Sequence, residues 1–267
     1  MHVYFSVLQI QDDLGHIIRL SQPPRRIIST VPSLTELLAY LKLDEEVIGI
    51  TKFCIHPENW FRNKTRIGGT KKLHIDKIKT LNPDIIIANK EENTQADIEQ
   101  LKKFFPVFVT DINNYDDALR NILNIGKLTN RVEEAEKLVA DVQRNFEEIN
   151  HCFGQKTAAY LIWKNPYMTV GSDTYIHSIM TKTGLQNVFS HKFRYPETSL
   201  QELQNLKPDL ILLSSEPYPF KEKDVTEMKN FLPDSAVVLA DGEMFSWYGS
   251  RMLLAPGYFK KLRANIF

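Results

Sequence analysis

Two thirteen-residue stretches of the chain share one order of apolar and polar positions. Residues 75–87 read IDKIKTLNPDIII, and residues 200–212 read LQELQNLKPDLIL. In each stretch, apolar residues at helical spacing lead to a proline and an aspartate, and an unbroken apolar run follows. Proline ends a helix, and a short apolar run without alternation is typical of a strand that is covered on both faces of a parallel sheet. The pattern predicts one helix–turn–strand unit that is built twice.

Further apolar runs flank both copies in the same order. RIIST (26–30) and AAYLI (158–162) precede them, and VFVTD (107–111) and VVLAD (237–241) follow them. Strands therefore alternate with helices twice, which predicts an α/β fold of two lobes, each with a mostly parallel central sheet flanked by helices. The alternative is a single sheet in which the unit recurs by chance.

Two local signals near the N-terminus predict a hairpin and a helix start. The segment DDLGH (12–16) places Gly15 where a tight turn needs a positive φ, so it predicts a hairpin before the first buried strand. Ser33 and Glu36 have the spacing of a capping box, which predicts that Ser33 caps the helix of PSLTELLAYL.

A long amphipathic segment separates the two copies. From Asn130 to Gly154 it holds no internal proline or glycine, and its apolar residues recur at intervals of three and four. The pattern predicts a single long helix that joins the lobes and permits little closure. We therefore expect an N-terminal lobe at 1–128, an inter-lobe helix at 129–153 and a C-terminal lobe at 154–267.

Composition excludes several classes of protein. The 33 basic residues balance 33 acidic ones, so no bulk basic charge points to nucleic acid. The longest apolar runs are far below the roughly 20 residues that span a bilayer, which predicts a soluble protein. Cys54 and Cys152 do not make a disulfide framework. The first residues lack a basic start and a cleavage site, as in a cytoplasmic protein or a chain trimmed of its export signal.

The common catalytic and nucleotide-binding signatures are absent from the sequence. Open α/β sheets bind ligands at the loops that follow their strands, so a ligand site is expected in these loops. These loops combine aromatic or sulfur-bearing side chains with cations and polar groups: Phe53, His56, Thr70, Lys71, Asn89, Lys90, Met168, Arg194, Tyr195 and Trp247. Aromatic faces and charge-assisted donors suit a sizeable organic ligand with negative groups. Each cation taken alone is better explained as a solvated loop charge, and CIHP (54–57) as an ordinary loop rather than a metal site.

The motifs together resemble the periplasmic binding proteins of the helical-backbone metal-receptor family, which deliver vitamin B12, ferric siderophores and haem to ABC importers. The resemblance runs over nearly the whole chain, and it is carried by DDLGHIIRL, PPRRIISTVPSLTELLAYLKL, VIGITKFCIHP, IGGT, TVGSDTYIHSIMTKTGLQNVF and the two repeated units. It implies two lobes joined by a helix, with a ligand held in the cleft and no catalysis. It also implies a periplasmic or extracytoplasmic monomer that needs no cofactor and contacts the importer's membrane subunits.

The resemblance also assigns roles to single positions. An acidic residue near the start of each repeated helix docks onto the importer; Asp76 holds the first such position, and Gln201, with Glu202 beside it, the second. Vitamin B12 receptors have aromatic rings at Thr70 and Asn89, whereas aromatic character is kept at Tyr195 and Met168 stands at a ring contact. Lys71, Lys90 and Arg194 favour an anionic chelate such as a ferric siderophore. A corrinoid remains open, as does haem with His56 or Tyr195 as axial ligand.

Two other hypotheses use the same scaffold. One is an intracellular enzyme that handles a corrinoid or tetrapyrrole, with His56, Asp84 and Asp209 as acid–base candidates. The other is a cytoplasmic chelate sensor or carrier. Because Asp84 and Asp209 follow helix-ending prolines, turn formation explains these two aspartates better than catalysis does.

Overall fold

The computed structural model describes residues 8–267, and Met1–Val7, the start of the apolar N-terminal stretch, lie outside that range. The chain forms two compact units. Unit 1 comprises residues up to Asp111, Asp117–Ala140 and Tyr248–Ser250, and unit 2 comprises Ile112–Asp116, Asp141–Trp247 and Arg251–Phe267. The boundaries at 128 and 154 stay a prediction.

The first part of the chain begins with a hairpin and continues as alternating strands and helices. The strands are β1 Leu8–Gln11, β2 Ile17–Leu20, β3 Ile27–Ser29, β4 Val47–Ile50, β5 Thr65–Arg66, β6 Gly68–Gly69, β7 Lys72–Leu73, β8 Ile85–Asn89 and β9 Val107–Thr110. The helices are α1 Pro32–Tyr40, α2 Glu58–Asn63, α3 Ile75–Leu81, α4 Gln95–Lys102, α5 Tyr115–Thr129 and α6 Val132–Glu147.

Unit 1 is built on a parallel sheet. Its strand order is β5-β4-β3-β8-β9, with every neighbouring pair parallel. All five residues of β8 are buried, as a strand covered on both faces requires. β1 and β2 pair antiparallel, and Gly15 in their turn has φ +87°, which confirms the hairpin.

The start of helix α1 differs from the capping-box prediction. The helix begins at Pro32, and Val31 in extended conformation is its N-cap without a side-chain hydrogen bond. Ser33 therefore lies inside the first turn, where its Oγ is buried without a hydrogen-bond partner. Proline at the first helical position fixes the start earlier than the serine signal does, so the prediction that Ser33 caps the helix was wrong.

Helix α6 occupies only Val132–Glu147 of the segment 129–153, so it is shorter than the single long helix that the sequence pattern predicts. At 1.5 Å per residue, its 16 residues span about 24 Å. Beyond it the chain leaves the helix through turns in which His151 and Gly154 have positive φ angles of 54° and 61°.

The rest of the chain repeats the alternation of strands and helices. Its strands are β10 Thr157–Trp163, β11 Tyr167–Thr169, β12 Gln186–Asn187, β13 Glu197–Thr198, β14 Leu210–Ser214 and β15 Ala236–Ala240. Its helices are α7 Tyr175–Thr183, α8 Leu200–Leu206, α9 Glu222–Phe231, α10 Gly242–Ser246, a 3₁₀ turn at Ser250–Leu253 and α11 Ala255–Ile266.

Unit 2 has a mostly parallel sheet in the order β13-β11-β10-β14-β15, with β12 also paired to β10. Among these described strands, β11 pairs antiparallel with both β10 and β13, and the remaining pairs are parallel. The predicted α/β class with parallel central sheets and flanking helices is confirmed. None of the helices within residues 8–267 combines the length and apolar character needed to cross a bilayer.

The repeated stretch is the same local structure in both units. Helix α3 is capped by Asn82 with φ 43°, and helix α8 is capped by Lys207 with φ 46°. In both copies the backbone therefore turns through the left-handed region before the proline. The aspartate that follows then binds the start of the unit's first sheet strand. Asp84 Oδ2 accepts from Arg25 N and Arg26 N at 2.8 and 3.0 Å, and Asp209 Oδ2 accepts from Thr157 N at 2.9 Å.

Candidate ligand-binding site

The carboxyl edge of the unit 1 sheet brings several of the candidate residues together. The loop after β4 and the hairpin β6–β7 are joined by a hydrogen bond from Lys52 N to Gly68 O at 2.8 Å. A Cβ on Gly69 would lie only 3.1 Å from a ring carbon of Phe53, so the missing side chain lets the hairpin approach the ring. Phe53 itself is 51% exposed. An aromatic face is thus available to solvent beside the glycine pair.

Thr70 and Lys71 connect this hairpin to the loop after β8. The carbonyl of Thr70 accepts from Asn93 Nδ2 at 3.0 Å, and the ammonium of Lys71 donates to the carbonyl of Glu91. The loops after β4, β6 and β8 are therefore one connected surface, and Phe53, Thr70, Lys71 and Lys90 lie on it.

Asn89 shapes this surface from within. Its side chain is 2% exposed, its Nδ2 donates to Thr110 O and Oγ1, and its Oδ1 accepts from Glu91 N and Glu92 N at 2.9 and 3.0 Å. The amide is thereby engaged at both ends by the loop and by β9. Asn89 holds the backbone that carries Lys90 in place.

Lys90 is an exposed cation with a carboxylate beside it. Its Nζ lies 2.5 Å from Asp111 Oδ2, and the side chain is 55% exposed while that of Asp111 is 16% exposed. Exposed ion pairs contribute about 0–1 kcal/mol. An anionic ligand that draws Lys90 away therefore gives up little.

His56 follows the same strand, β4, as Phe53. It precedes Pro57 across a cis peptide bond and is half-buried. Within residues 8–267, no three His, Cys, Asp or Glu side chains are placed to hold a metal ion together.

Cys54 is buried two residues before His56, and it forms no disulfide with Cys152. Burial, offset in part by hydrogen bonds from Thr35 and Thr51, raises the pKa of the Cys54 thiol.

In unit 2, Met168 and the Arg194 loop lie along the sheet strands β11 and β13. Met168 is half-buried on β11 and pairs with Glu197 of β13. The guanidinium of Arg194 donates to Asn113 Oδ1 at 3.2 Å and lies 5.5 Å from the ring centroid of Tyr195. Arg194 and Tyr195 thus present a cation and an aromatic face side by side.

The loop that carries Arg194 is held firmly in an unusual conformation. Arg194 has φ 56°, its N–H donates to Asp173 Oδ1 at 2.5 Å, and its carbonyl accepts from Gly171 N at 2.7 Å. A Cβ on Gly171 would lie 2.5 Å from Lys192 O and 2.6 Å from Phe193 Cα, so only glycine fits there. The close approach fixes where the Arg194 loop projects.

Sequence reasoning missed Phe193 in this loop. Its ring is 70% exposed, more than any other large hydrophobic side chain of the described residues. The signal was present as an aromatic residue between two basic ones in HKFRYPE, but it does not reveal exposure. Phe193 adds a second aromatic face next to Arg194 and Tyr195.

Trp247 is placed differently from the other candidates. It is 9% exposed, its Nε1–H donates to Glu216 Oε1 at 2.9 Å, and the guanidinium of Arg251 lies 5.0 Å from its ring centroid. Burial raises the pKa of Glu216, although hydrogen bonds from Ser246 and Trp247 oppose the rise. Most of the indole surface is used in packing.

The three docking candidates also differ from one another. Asp76 and Gln201 are exposed in the first turns of α3 and α8. Glu202 accepts from Lys192 Nζ at 2.6 Å and from Thr198 Oγ1 at 2.9 Å, and the bond to Lys192 lowers the pKa of Glu202. Asp76 and Gln201 therefore face solvent, whereas Glu202 is held by its own unit.

Comparison with known proteins places the chain in a family. Residues 27–238 match the family model described as "Periplasmic binding protein", which is more than half of the 267 residues. The chain belongs to this family of periplasmic binding proteins. Its members are substrate-binding proteins of transporters, and this confirms the prediction of a binding protein rather than an enzyme.

Curated relatives of this binding protein match it over most of its length. The "Vitamin B12-binding protein" of Pectobacterium carotovorum subsp. carotovorum (strain PC1) is 25% identical over 241 residues, which is 87% of this chain and 86% of the relative. The protein of the same description from Photorhabdus laumondii subsp. laumondii is 23% identical over 258 residues, or 94% and 91% of the two chains.

Solved structures of the family share the fold. The periplasmic vitamin B12 binding protein BtuF of Vibrio cholerae superposes with a TM-score of 0.77 at 18% identity, covering 91% of this chain and 98% of that one. A possible iron-binding periplasmic solute-binding protein from Staphylococcus epidermidis ATCC 12228 gives 0.78 at 22% identity, covering 92% and 100%. The periplasmic heme-binding protein RhuT from Roseiflexus sp. RS-1 gives 0.76 at 17%, covering 91% and 97%.

Proposed function

We propose that this periplasmic binding protein captures a metal chelate, a ferric siderophore or a corrinoid, and delivers it to an ABC importer. The family supports the general role, and relatives described as vitamin B12-, iron- and heme-binding proteins support a chelate as the cargo. The observation that carries the proposal is the connected surface at the carboxyl edge of unit 1. There the exposed ring of Phe53 stands with the ammonium groups of Lys71 and Lys90.

The chemistry of this surface suits a large anionic ligand. An exposed aromatic face removes apolar ligand area from water, and lysine ammonium groups add charge-assisted hydrogen bonds. Phe193, Arg194 and Tyr195 offer the same combination on unit 2. Lys71, Lys90 and Arg194 each already contact an acceptor of the protein. An anionic ligand would replace that acceptor, so the loops need little rearrangement on binding.

Delivery is proposed to rely on the exposed first turns of the two repeated helices. Asp76 carries a negative charge there, whereas Gln201 offers only a neutral amide. We infer that docking is dominated by α3. Because members of the family are periplasmic, we also propose an extracytoplasmic location, and we propose that the protein acts as a monomer.

A thermal-shift screen tests the proposal. The purified chain is heated with cobalamin, haem and a panel of ferric siderophores, each beside its metal-free form where one exists. A ligand that binds only the folded state raises the melting temperature by mass action, by an amount that grows with its concentration. We expect at least one ferric siderophore or cobalamin to do so. A panel without any concentration-dependent stabiliser would refute the proposal.

A further inference from the structure

Unit 2 contains a polar cavity that none of the residues proposed for the chelate line. Its volume is about 430 Å³, and nine described residues line it: three asparagines, three hydroxyl residues, two histidines and one lysine. This lining includes neither a carboxylate nor an aliphatic or aromatic hydrocarbon side chain. Because the cavity is open to solvent and is lined by no hydrocarbon side chain, it does not enclose a drug-like or macrocyclic ligand. Its single ammonium, together with a histidine and a serine on the same helix, suits a polar anion.

His177 lines this cavity, and a hydrogen bond with Asn187 determines which of its ring nitrogens carries the hydrogen. Asn187 Nδ2 donates to Val170 O at 2.8 Å, and Asn187 Oδ1 accepts from Phe189 N at 3.0 Å, which sets the orientation of the amide. The same Nδ2 lies 3.2 Å from His177 Nδ1, so Nδ1 is the acceptor. In a neutral imidazole the other nitrogen, Nε2, then carries the hydrogen. Burial lowers the pKa of His177, which favours this neutral form.

Two further groups on helix α7 complete the donor set. Ser178 Oγ accepts from Tyr115 N at 3.0 Å, so its own hydrogen is left to donate. Lys182 lies one helical turn further on, and its ammonium is 4.4 Å from the ring centroid of Tyr115. His177, Ser178 and Lys182 therefore bring a neutral N–H, a hydroxyl and a positive charge to one cavity.

The acidic groups near this cavity are partnered or lie outside its lining. Asp173, which precedes α7, accepts from Arg194 N at 2.5 Å and lies 3.8 Å from the guanidinium of Arg194. Asp116 and Glu147 line a neighbouring cavity of about 200 Å³ that shares Lys182. These carboxylates reduce the positive potential at Lys182, so hydrogen bonds from the neutral donors carry much of the recognition.

We propose that this cavity binds a small hydroxylated carboxylate anion, with Lys182 as the cation and His177 and Ser178 as donors. The volume distinguishes this class from a simple oxyanion. A volume of about 430 Å³ is far more than the roughly 30 Å³ that one water molecule occupies, so a tetrahedral oxyanion would leave most of the cavity unfilled. A ligand with several carboxylate and hydroxyl groups is large enough to reach His177, Ser178 and Lys182 together.

Isothermal titration calorimetry with metal-free citrate tests the site on the full chain. Sorbitol serves as an uncharged polyhydroxyl control. We expect citrate to bind one site per chain, and sorbitol not to bind detectably.

Lys182→Met removes the charge at nearly constant length and is expected to weaken citrate binding roughly tenfold or more. Ser178→Ala removes one donor and is expected to weaken it several-fold. Lys229→Met, which removes an exposed lysine of helix α9, is the matched control and is expected to leave citrate affinity unchanged.

Either of two results overturns the site: no saturable heat with citrate for the wild-type chain, or equal citrate affinity in Lys182→Met and Lys229→Met. Melting curves of each variant confirm folding, and Lys182→Gln replaces Lys182→Met if the latter does not fold. The inference stands apart from the proposed function. Citrate binding without any stabilising chelate would refute chelate capture and leave this site in place.

Discussion

Asp84 and Asp209 occupy the same place in the two units. Each follows a proline that ends a helix, and each accepts a backbone N–H at the start of a central strand, Asp84 from Arg26 N at 3.0 Å and Asp209 from Thr157 N at 2.9 Å. The repeated sequence is therefore a repeated structural device. It aligns the strand that follows the aspartate with its neighbour in the parallel sheet.

Removing either carboxylate should destabilise its own unit. Asp84→Ala leaves the N–H groups of Arg25 and Arg26 without their acceptor, and Asp209→Ala does the same to Thr157. Because water can replace the lost acceptor at these exposed positions, we expect each variant to lose about 0.5–1.5 kcal/mol in the free energy of unfolding, measured by urea denaturation. Asp84→Asn and Asp209→Asn keep one acceptor oxygen and should lose less. A loss below the error of the measurement in both alanine variants would show that the anchoring is unimportant.

The left-handed turn after α8 offers a stabilising change. Lys207 has φ 46° and ψ 56°, a conformation that costs a residue with a Cβ more than it costs glycine. Lys207→Gly should therefore raise the free energy of unfolding by about 0.5–1 kcal/mol. Asn82→Gly is the matched control at the equivalent position, and it should gain less because asparagine already tolerates this region. Equal effects at both positions would contradict the argument.

The fold was predictable from the sequence because its signals are local. Helical spacing, a proline and an apolar run identify α3–β8 and α8–β14 without any knowledge of neighbours. The capping of α1 was mispredicted since two local signals compete there, and Pro32 prevails over Ser33. The site was less predictable. The exposure of Phe193, the burial of Trp247 and the engaged amide of Asn89 depend on residues far away in the sequence, such as Gly171, Glu216 and Thr110.

Glu216 gives a pH-dependent prediction. Its pKa is raised in the folded protein, so the folded state binds more protons than the unfolded one above the usual pKa of glutamate. The stability linked to Glu216 is therefore full at low pH and is lost as pH rises through the raised pKa. Ser246 Oγ and Trp247 Nε1 both donate to Oε1, so the substitution Glu216→Gln would keep both bonds without the buried charge.

We expect Glu216→Gln to gain stability relative to the wild-type chain between about pH 4.5 and 7. Urea denaturation of both proteins across that range measures the difference. If the difference in the free energy of unfolding between the two proteins does not change with pH, a raised pKa at Glu216 would be contradicted. The same holds if the difference shifts in favour of the wild-type chain as pH rises.

Ligand affinity should depend on Lys90 and on Arg194, the cations proposed to contact the chelate. Lys90→Ala and Arg194→Ala should each weaken an anionic chelate roughly tenfold, because each removes one charge-assisted contact. Calorimetry with the chelate from the thermal-shift screen measures this, and Lys229→Ala is the matched control. Unchanged affinity in both variants would remove Lys90 and Arg194 from the site.

Importer docking should depend on the charges in the first turns of α3 and α8. Asp76→Ala should reduce uptake or binding to the membrane subunits, and Gln201→Glu should increase it by adding a second carboxylate. Glu202→Ala should have little effect on docking, since its carboxylate is held by Lys192. Reconstituted uptake assays compare the three variants. A larger loss for Glu202→Ala than for Asp76→Ala would reverse this assignment.

The central claim is that the protein binds a metal chelate and does not change it. Calorimetric titration with the stabilising chelate, followed by mass spectrometry of the recovered ligand, tests it most directly. The account predicts one site per chain, a Kd of about 1 μM or tighter, and a ligand recovered intact. A chemically altered ligand, or a folded protein that binds no chelate of the panel, would contradict it.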